Sequence, residues 1–200
     1  ATVTVEDNLA PTAVAQDITV NLDATGNATI TTGDIDNGSS DNCGAPTLGL
    51  DVTSFGCADV GPNTVTLTAT DGSGNSDSTT ATVTVVDNIA PTAVCQDITI
   101  QLDASGNASI VAGDIDNGSS DNCSVSLSAD VTSFTAADLG ANTVTLTVTD
   151  PSGNTTVCTA TVTVEDNIAP TAVCQDFTVQ LDATGNATIT PADIDNGSSD

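Results

Sequence analysis

The sequence repeats itself with a period of about 80 residues, and this period limits what the chain can fold into. The segment EDNLAPTAVAQD from Glu6 returns as VDNIAPTAVCQD from Val86 and as EDNIAPTAVCQD from Glu165. The prolines of these segments are 80 (91 − 11) and 79 (170 − 91) positions apart. Such a period is longer than the roughly 20–50 residues of solenoid repeats and suits a small β-sandwich with its own core. We therefore expect a tandem array of separately folded repeats.

The limits of the repeats predict two complete domains and two fragments. Residues 1–5 match the last strand of a repeat, residues 6–85 and 86–164 are repeats one and two, and residues 165–200 match the N-terminal part of a third repeat. Because the fragments are too short to bury a core alone, we expect the chain to be a segment of a much longer protein. No apolar run approaches the 18 or more residues of a membrane span, so we expect no membrane insertion.

Alternating apolar and polar residues predict β-strands in each repeat. In repeat one the expected strands cover residues 13–22, 28–32, 47–55, 64–70 and 79–86, with a polar loop over 34–45 and a connection over 57–63. Helix signals are nearly absent. The predicted fold class is all-β: tandem Ig-like β-sandwich repeats of about 80 residues arranged end to end. The predicted core of repeat one comprises Val14, Ile18, Val20, Leu22, Ile30, Leu50, Val52, Phe55, Val65, Leu67, Val83 and Val85.

The charge of the chain excludes several classes of function. It carries 27 acidic residues and no Lys, Arg or His, which gives a net charge of −27. This charge repels nucleic acid and anionic membrane surfaces. The absence of Lys, Arg, His and Tyr removes the imidazole base, the amine nucleophile and the phosphate clamp, and 2% aromatic residues leave no platform for a sugar. We therefore expect no enzymatic activity.

Three acidic segments recur in the repeats and predict Ca²⁺ sites. In repeat one they are residues 6–8, 34–41 and 71–77, which an Ig-like sandwich would bring to one end. Nearby carboxylates repel each other unless a cation lies between them, and Ca²⁺ takes six to eight oxygen ligands. The alternative is that these segments are solvated turns. The candidate ligands are Glu6, Asp7, Asp34, Asp36, Asp41, Asp71, Asp77, Asp87, Asp114, Asp116, Asp121, Asp150, Glu165, Asp166, Asp193 and Asp195.

The cysteines predict two disulfides. Cys95 and Cys158 of repeat two correspond to Ala15 and Thr79 in repeat one, so both members of that pair are absent together, as expected for a bonded pair. The second predicted disulfide joins Cys43 to Cys57 and closes a short loop. Cys123 is then left without a partner in its own repeat, because Ala136 stands at the position of Cys57. Disulfides favour an extracellular setting, whereas buried reduced thiols would fit a cytosolic protein.

Taken in order along repeat two, these motifs resemble the hyalin-repeat (HYR) module. The resemblance covers both full repeats, although repeat one lacks the Cys95/Cys158 pair. The segments PTAVCQDIT and DIDNGSSDNC are similar to repeats of giant surface adhesins of gliding Bacteroidota. The resemblance implies an Ig-like extracellular adhesion domain in a protein exported by the type 9 route. The resemblance rests on Asp87, Pro91, Cys95, Asp121, Asn122, Asp150, Ser152, Gly153, Asn154 and Cys158.

We therefore expect the structural or adhesive repeat region of a long extracellular filament attached to the bacterial outer membrane, stiffened by Ca²⁺ and disulfides. The expected partners are neighbouring repeats and, through other domains, surface polysaccharide or substratum. The alternatives are a passive spacer in a secreted multidomain enzyme and an ice-binding adhesin repeat. The ice-binding alternative depends on rows of Thr such as residues 64–70, which more often are outward strand positions filled by β-branched side chains.

Overall fold

The computed structural model describes residues 1–200, and the fold is nearly all β. Each of the two α-helices has four residues, and no helix is long and apolar enough to cross a membrane. Single 3₁₀ turns cover Cys57–Asp59, Ala112–Asp114 and Ala136–Asp138. In chain order the main elements are β1 (Ile18–Asn21), β2 (Asn27–Thr29), α1 (Thr32–Ile35), β3 (Thr47–Leu50), β4 (Ser54–Gly56), β5 (Gly61–Thr70), β6 (Ser76–Val86), β7 (Ile98–Gln101), β8 (Asn107–Ser109), β9 (Ser126–Ala129), β10 (Ser133–Thr135), β11 (Gly140–Thr149), β12 (Thr155–Glu165) and α2 (Pro191–Ile194).

Repeat one forms two sheets that enclose a core. The larger sheet has the order β1-β6-β5-β3, and the smaller sheet pairs β2 with β4. The long strands β5 and β6 are antiparallel, whereas β1 pairs with β6 in parallel, with Ile18 opposite Val83. Repeat two has the corresponding sheets β7-β12-β11-β9 and β8-β10, with β7 parallel to β12. Both repeats are therefore Ig-like sandwiches, as the sequence predicts.

The chain divides into two compact units whose limits differ from those of the sequence repeats. The first unit contains Ala1–Val94 together with Gly118–Leu127 and Thr147–Val157. The second unit contains Cys95–Asn117, Ser128–Leu146 and Cys158–Asp200. Two loops of repeat two thus belong to the same unit as the whole of repeat one.

The core of repeat one contains most of the predicted residues and also Ile35 and Ala81, which the sequence did not indicate. Val65, Leu67 and Val83 are fully buried, because alternate residues of β5 and β6 face the smaller sheet. Ile35 is also fully buried, although it lies in a segment predicted to be a polar loop. The first two residues of that segment are the last two of helix α1, which turns Ile35 inward. The prediction for Val52 was wrong, since this side chain is 38% exposed.

The predicted strand over residues 47–55 is divided into β3 and β4 by Asp51. Its carboxylate accepts a hydrogen bond of 2.8 Å from the backbone N–H of Thr66, and its own N–H donates to the Thr66 carbonyl at 3.3 Å. These bonds end the pairing of β3 with β5 and free the chain to cross to the smaller sheet. The first predicted strand, over 13–22, is shorter in the structure, and before β1 only isolated bridges at Thr12 and Ala15 remain.

Candidate metal centres

Two equivalent groups of side chains could each hold a metal ion. The repeat-one cluster consists of Asp7, Asp41 and Cys43, and the repeat-two cluster consists of Asp87, Asp121 and Cys123. In each cluster one ligand atom from every member lies within 4.8 Å of the others. The linker segment supplies the first Asp, and the SDNC sequence supplies the second Asp and the Cys. All three members of the repeat-two cluster belong to the first compact unit.

Each carboxylate of the clusters uses one oxygen to hold its own turn. Oδ1 of Asp7 accepts from the backbone N–H of Leu9 at 3.0 Å, and Oδ1 of Asp87 accepts from that of Ile89 at 3.1 Å. In each SDNC segment, Oδ2 of the Asp accepts from the backbone N–H of the cysteine two residues later, at 2.9 Å in repeat one and 3.1 Å in repeat two. These Asx turns fix where the second oxygen of each carboxylate lies.

The second oxygen of each carboxylate is buried and accepts no hydrogen bond. The atoms concerned are Oδ2 of Asp7 and Asp87 and Oδ1 of Asp41 and Asp121. Asp87 is the most enclosed of the four residues, with 3% of its surface exposed. Burying an ionised carboxylate oxygen without a partner is costly, and the chain has no Lys, Arg or His to supply one. The four oxygens therefore fit a bound cation.

The last hairpin of each repeat is fastened to the linker by an asparagine. Nδ2 of Asn154 donates to the backbone oxygen of Asp87 at 3.1 Å, and Nδ2 of Asn75 donates to that of Asp7 at 3.0 Å. The same amides donate to Asp150 and Asp71, each at 2.7 Å. Asp71 lines an open cavity of about 400 Å³ with the repeat-one cluster. The hairpin carboxylates thus lie beside the linker.

Hydrogen bonding also sets the protonation of the hairpin carboxylates. The side chain of Asn75 lowers the pKa of Asp71, with the backbone N–H groups of the same loop adding to the effect. Burial raises the pKa of Asp150, but the hydrogen bonds of Asn154 outweigh it, so the pKa lies below its usual value. Both groups are held in the charged form that a cation requires. In the repeat-one cluster, the neighbouring carboxylate of Asp7 raises the pKa of the Cys43 thiol.

Of the acidic residues in the loop over residues 34–41, only the last, Asp41, belongs to a cluster. Asp34 caps helix α1, where its carboxylate accepts from the backbone N–H and hydroxyl of Thr31, each at 2.7 Å. Asp36 holds the following turn through the N–H of Ser39 at 3.0 Å. In repeat two Asp114 accepts from the N–H of Val111 at 2.7 Å in the same way. These carboxylates have local roles in the turns.

The remaining predicted ligands also lie outside both clusters. Asp77 accepts from the backbone N–H of Ala13 at 3.0 Å, and the backbone oxygen of Asp116 accepts from Nε2 of Gln96 at 3.1 Å. The carboxylate of Glu165 accepts from Nε2 of Gln101 at 2.7 Å. The rest of this set comprises Glu6, Asp166, Asp193 and Asp195.

The structure contains the disulfides Cys95–Cys158, as predicted, and Cys57–Cys123. The predicted Cys43–Cys57 bond was wrong, because Cys43 is free and exposed. Cys43 lies with Asp7 and Asp71 beside the start of β6, whereas Cys57 lies near the Asp87 end of that strand. The 11 residues of β6 span roughly 35 Å, and a disulfide requires Cα atoms within about 7 Å. Cys123, which the prediction left without a partner in its own repeat, is bonded to Cys57 of repeat one.

Three features of the site were not found from the sequence. They are the place of the cysteines in the clusters, the linker contacts of Asn75 and Asn154, and the buried amide oxygen of Asn122, which accepts no hydrogen bond. The recurrence of SDNC directly after the acidic loop was a usable signal, because it sets an Asp, an Asn and a Cys at fixed spacing in both repeats.

Among known proteins, the chain is similar to solved structures of low sequence identity. No family model matches the chain, and no curated protein matches it. Mouse cadherin-23 EC22-24 is 14% identical, with 78% of this chain and 65% of that chain covered and a TM-score of 0.40. The protocadherin gammaB7 EC3-6 cis-dimer structure is 16% identical, with coverages of 91% and 56% and a TM-score of 0.39.

A third similar structure is an endo-fucoidan hydrolase of glycoside hydrolase family 107. It is 16% identical, with 83% of this chain and 30% of that chain covered and a TM-score of 0.33. The chain therefore spans between about a third and two thirds of the length of these three structures. At these identities and TM-scores, what those proteins do does not carry over to this chain.

Proposed function

We propose that this chain is a structural and adhesive repeat region of a long extracellular surface protein, in which Ca²⁺ and disulfides stiffen the array. Its domains are residues 6–85 and 86–164. The observation that carries the proposal is the pair of buried oxygens in the repeat-two cluster, Oδ2 of Asp87 and Oδ1 of Asp121, neither of which accepts a hydrogen bond.

The electrostatics of the repeat-two cluster support a bound cation. Two carboxylate charges within 4.8 Å of each other repel by at least about 3.5 kcal/mol at an effective dielectric constant of about 20. The chain has no basic side chain to offset this repulsion. A divalent cation between Asp87 and Asp121 turns it into attraction and satisfies both buried oxygens.

The chemistry of the donors favours Ca²⁺ over softer metals. The sulfur of Cys123 is part of a disulfide, so the repeat-two cluster has no thiolate and offers only oxygen ligands. Carboxylate, amide and carbonyl oxygens are the ligands that Ca²⁺ prefers. The proposed ligands are Asp87 and Asp121, with Asp150 beside them, and Asp7, Asp41 and Asp71 at the equivalent position of repeat one.

The disulfides support an extracellular location, because such bonds persist in oxidising compartments. A surface adhesin of the gliding Bacteroidota type, attached to the outer membrane, fits this setting. Its partners would be neighbouring repeats and, through other domains, surface polysaccharide or substratum. The stiffening role assigned to Ca²⁺ follows from the linker contacts, since Asp87 belongs to the linker and Asp121 to the body of repeat two.

Calorimetry on the full chain tests the proposal. We expect heat on titration with Ca²⁺ and a melting temperature that falls in EDTA. Saturation at a hundredfold excess over Kd adds about 2.7 kcal/mol per site to the free energy of unfolding. The variant Asp87→Asn should lose the contribution of one site. Asp176→Asn, which removes a carboxylate outside both clusters, is the control and should bind as the natural chain does. Absence of Ca²⁺ heat together with an unchanged melting temperature in EDTA would contradict the proposal.

A further inference from the structure

The repeat-two cluster includes a covalent bond to repeat one. Cys57, in the 3₁₀ turn after β4, is bonded to Cys123, and Sγ of Cys123 lies within 4.8 Å of carboxylate oxygens of Asp87 and Asp121. A disulfide sulfur is a poor ligand for a hard cation. Its contribution is therefore to fix the backbone beside Asp121.

Asn122 connects the same cluster to repeat one by hydrogen bonds. Its Nδ2 donates to the backbone oxygen of Asp23, in the β1–β2 hairpin, and to Oδ1 of Asp87, each at 3.3 Å. Its own Oδ1 is buried without a donor. The orientation of Asp87, whose second oxygen would face the cation, thus depends on an amide that repeat one holds in place.

A close approach at Gly26 completes the arrangement. Gly26 has a φ of +75°, and a Cβ at this position would lie 2.7 Å from the backbone oxygen of Asn122 and 2.7 Å from Sγ of Cys57. Any side chain would therefore push Asn122 away. In repeat two the equivalent Gly106 has a φ of +73°, but its nearest neighbour is Cβ of Ala136 at 4.0 Å.

The two clusters differ in burial, as expected if these contacts enclose only the repeat-two cluster. In the repeat-one cluster Cys43 is free and exposed, and both Asn42 and Cys43 face solvent. In the repeat-two cluster Asn122 and Cys123 are half-buried and Asp87 is buried. The Asp, Asn and Cys residues are the same, so the bond from Cys57 and the hairpin of repeat one account for the greater burial of the repeat-two cluster.

We infer that the Cys57–Cys123 disulfide and Asn122 set the affinity of the Asp87–Asp121 pair for a divalent cation, so that repeat one controls the cation site of repeat two. The inference rests on the proposed function, since it assumes that this pair binds a cation. Its physical basis is preorganisation: ligands already held in place lose less conformational entropy when they bind. Cys57 and Asn122 act as positioning residues.

The test compares two disulfide variants by titrating the full chain with Ca²⁺, in the background Asp7→Asn that disables the repeat-one cluster. Cys57→Ala/Cys123→Ala removes the bond in question, and its first change copies Ala136 of repeat two. Cys95→Ala/Cys158→Thr removes the other disulfide by copying Ala15 and Thr79 of repeat one. We expect Kd to rise at least about tenfold in the first variant, or about 1.4 kcal/mol, and to stay within about twofold in the second.

The outcomes separate this inference from the proposed function. Equal affinities in the two disulfide variants would overturn the inference alone. Absence of Ca²⁺ heat in the natural chain would overturn the proposed function and the inference with it. Melting temperatures in EDTA report the stability of each variant without the cation. If the two disulfide variants melt at similar temperatures in EDTA but only Cys57→Ala/Cys123→Ala loses affinity for Ca²⁺, the lost bond acts by positioning the ligands.

A second comparison keeps all four disulfide cysteines and instead crowds Asn122 and Sγ of Cys57. Gly26→Ala and Gly106→Ala place Ala at nearly the same positive φ and cost similar backbone strain. Only Gly26→Ala displaces Asn122, so we expect it to weaken Ca²⁺ binding several-fold while Gly106→Ala leaves Kd unchanged. Asn122→Ala should weaken binding as well, with Asn42→Ala as its control. Equal Kd values for the two glycine variants would contradict the role given to the hairpin of repeat one.

Discussion

Asn154 and Asp87 are joined by a hydrogen bond of 3.1 Å from the side-chain amide of Asn154 to the backbone oxygen of Asp87. The same amide donates to the backbone oxygen of Ile89 at 3.3 Å and to Asp150 at 2.7 Å. One residue of the last hairpin therefore holds the linker that leads into its own repeat. The corresponding bonds of Asn75 hold the linker at Asp7.

We expect Asn154→Ala to destabilise repeat two by about 1–3 kcal/mol, because partly buried acceptors on the linker lose their donor. The free energy of unfolding in urea measures this loss. Asn107→Ala is the matched control, since its Nδ2 donates to an exposed hairpin oxygen, that of Ser105. A loss no greater than that of the control would show that the linker is held by other contacts.

Ile35→Ala should cost about 2–5 kcal/mol, because the side chain is fully buried and its removal leaves a cavity. Val52→Ala, at a position 38% exposed, should cost far less. Urea unfolding of both variants under the same conditions makes the comparison. Similar losses would mean that Ile35 is not part of the core of repeat one.

Stability should fall in acid through Asp51 and Asp130. Backbone hydrogen bonds from Thr66 and Thr145 lower the pKa of these two carboxyls. A carboxyl with a lowered folded pKa contributes stability above its unfolded pKa of about 3.9, and this stability is lost as the pH falls through the lower folded value. The free energy of unfolding, measured in EDTA between pH 5 and pH 2, should decrease in that window. The variant Asp51→Asn should show a smaller decrease.

Peptide mapping without reduction should yield a Cys57–Cys123 peptide and a Cys95–Cys158 peptide. Cys43 and Cys174 are free and exposed, so an alkylating reagent should label these two cysteines before reduction. Mass spectrometry of the alkylated digest provides the measurement. A peptide that joins Cys43 to Cys57 would contradict the structure.

The fold could be predicted from the sequence because the alternation in segments such as TVTLTAT directly encodes one buried and one exposed face of β5. The burial of Ile35 could not, since it depends on a single turn of helix inside a segment of turn-forming residues. The partner of Cys57 could not be predicted either. Comparing equivalent positions shows which cysteines vary together within a repeat, whereas Cys57 is bonded to a residue of the next repeat. The acidic segments gave the carboxylates of the clusters, but which of them lie together depends on Asx turns and caps that need the folded backbone.

The parallel pairing of β1 with β6 has a consequence for mechanical load. In a parallel pair the chain enters at one end of the ladder and leaves at the other, so a pull on the two ends of the repeat loads its hydrogen bonds in shear and all at once. Repeat two adds Cys95–Cys158, which ties the segment before β7 to β12 and shields the residues between them from extension. Repeat one, with Ala15 and Thr79 at those positions, has no such tie. Under tension, repeat one can extend only as far as Cys57 once its ladder breaks, because the Cys57–Cys123 and Cys95–Cys158 bonds shield the residues that they enclose.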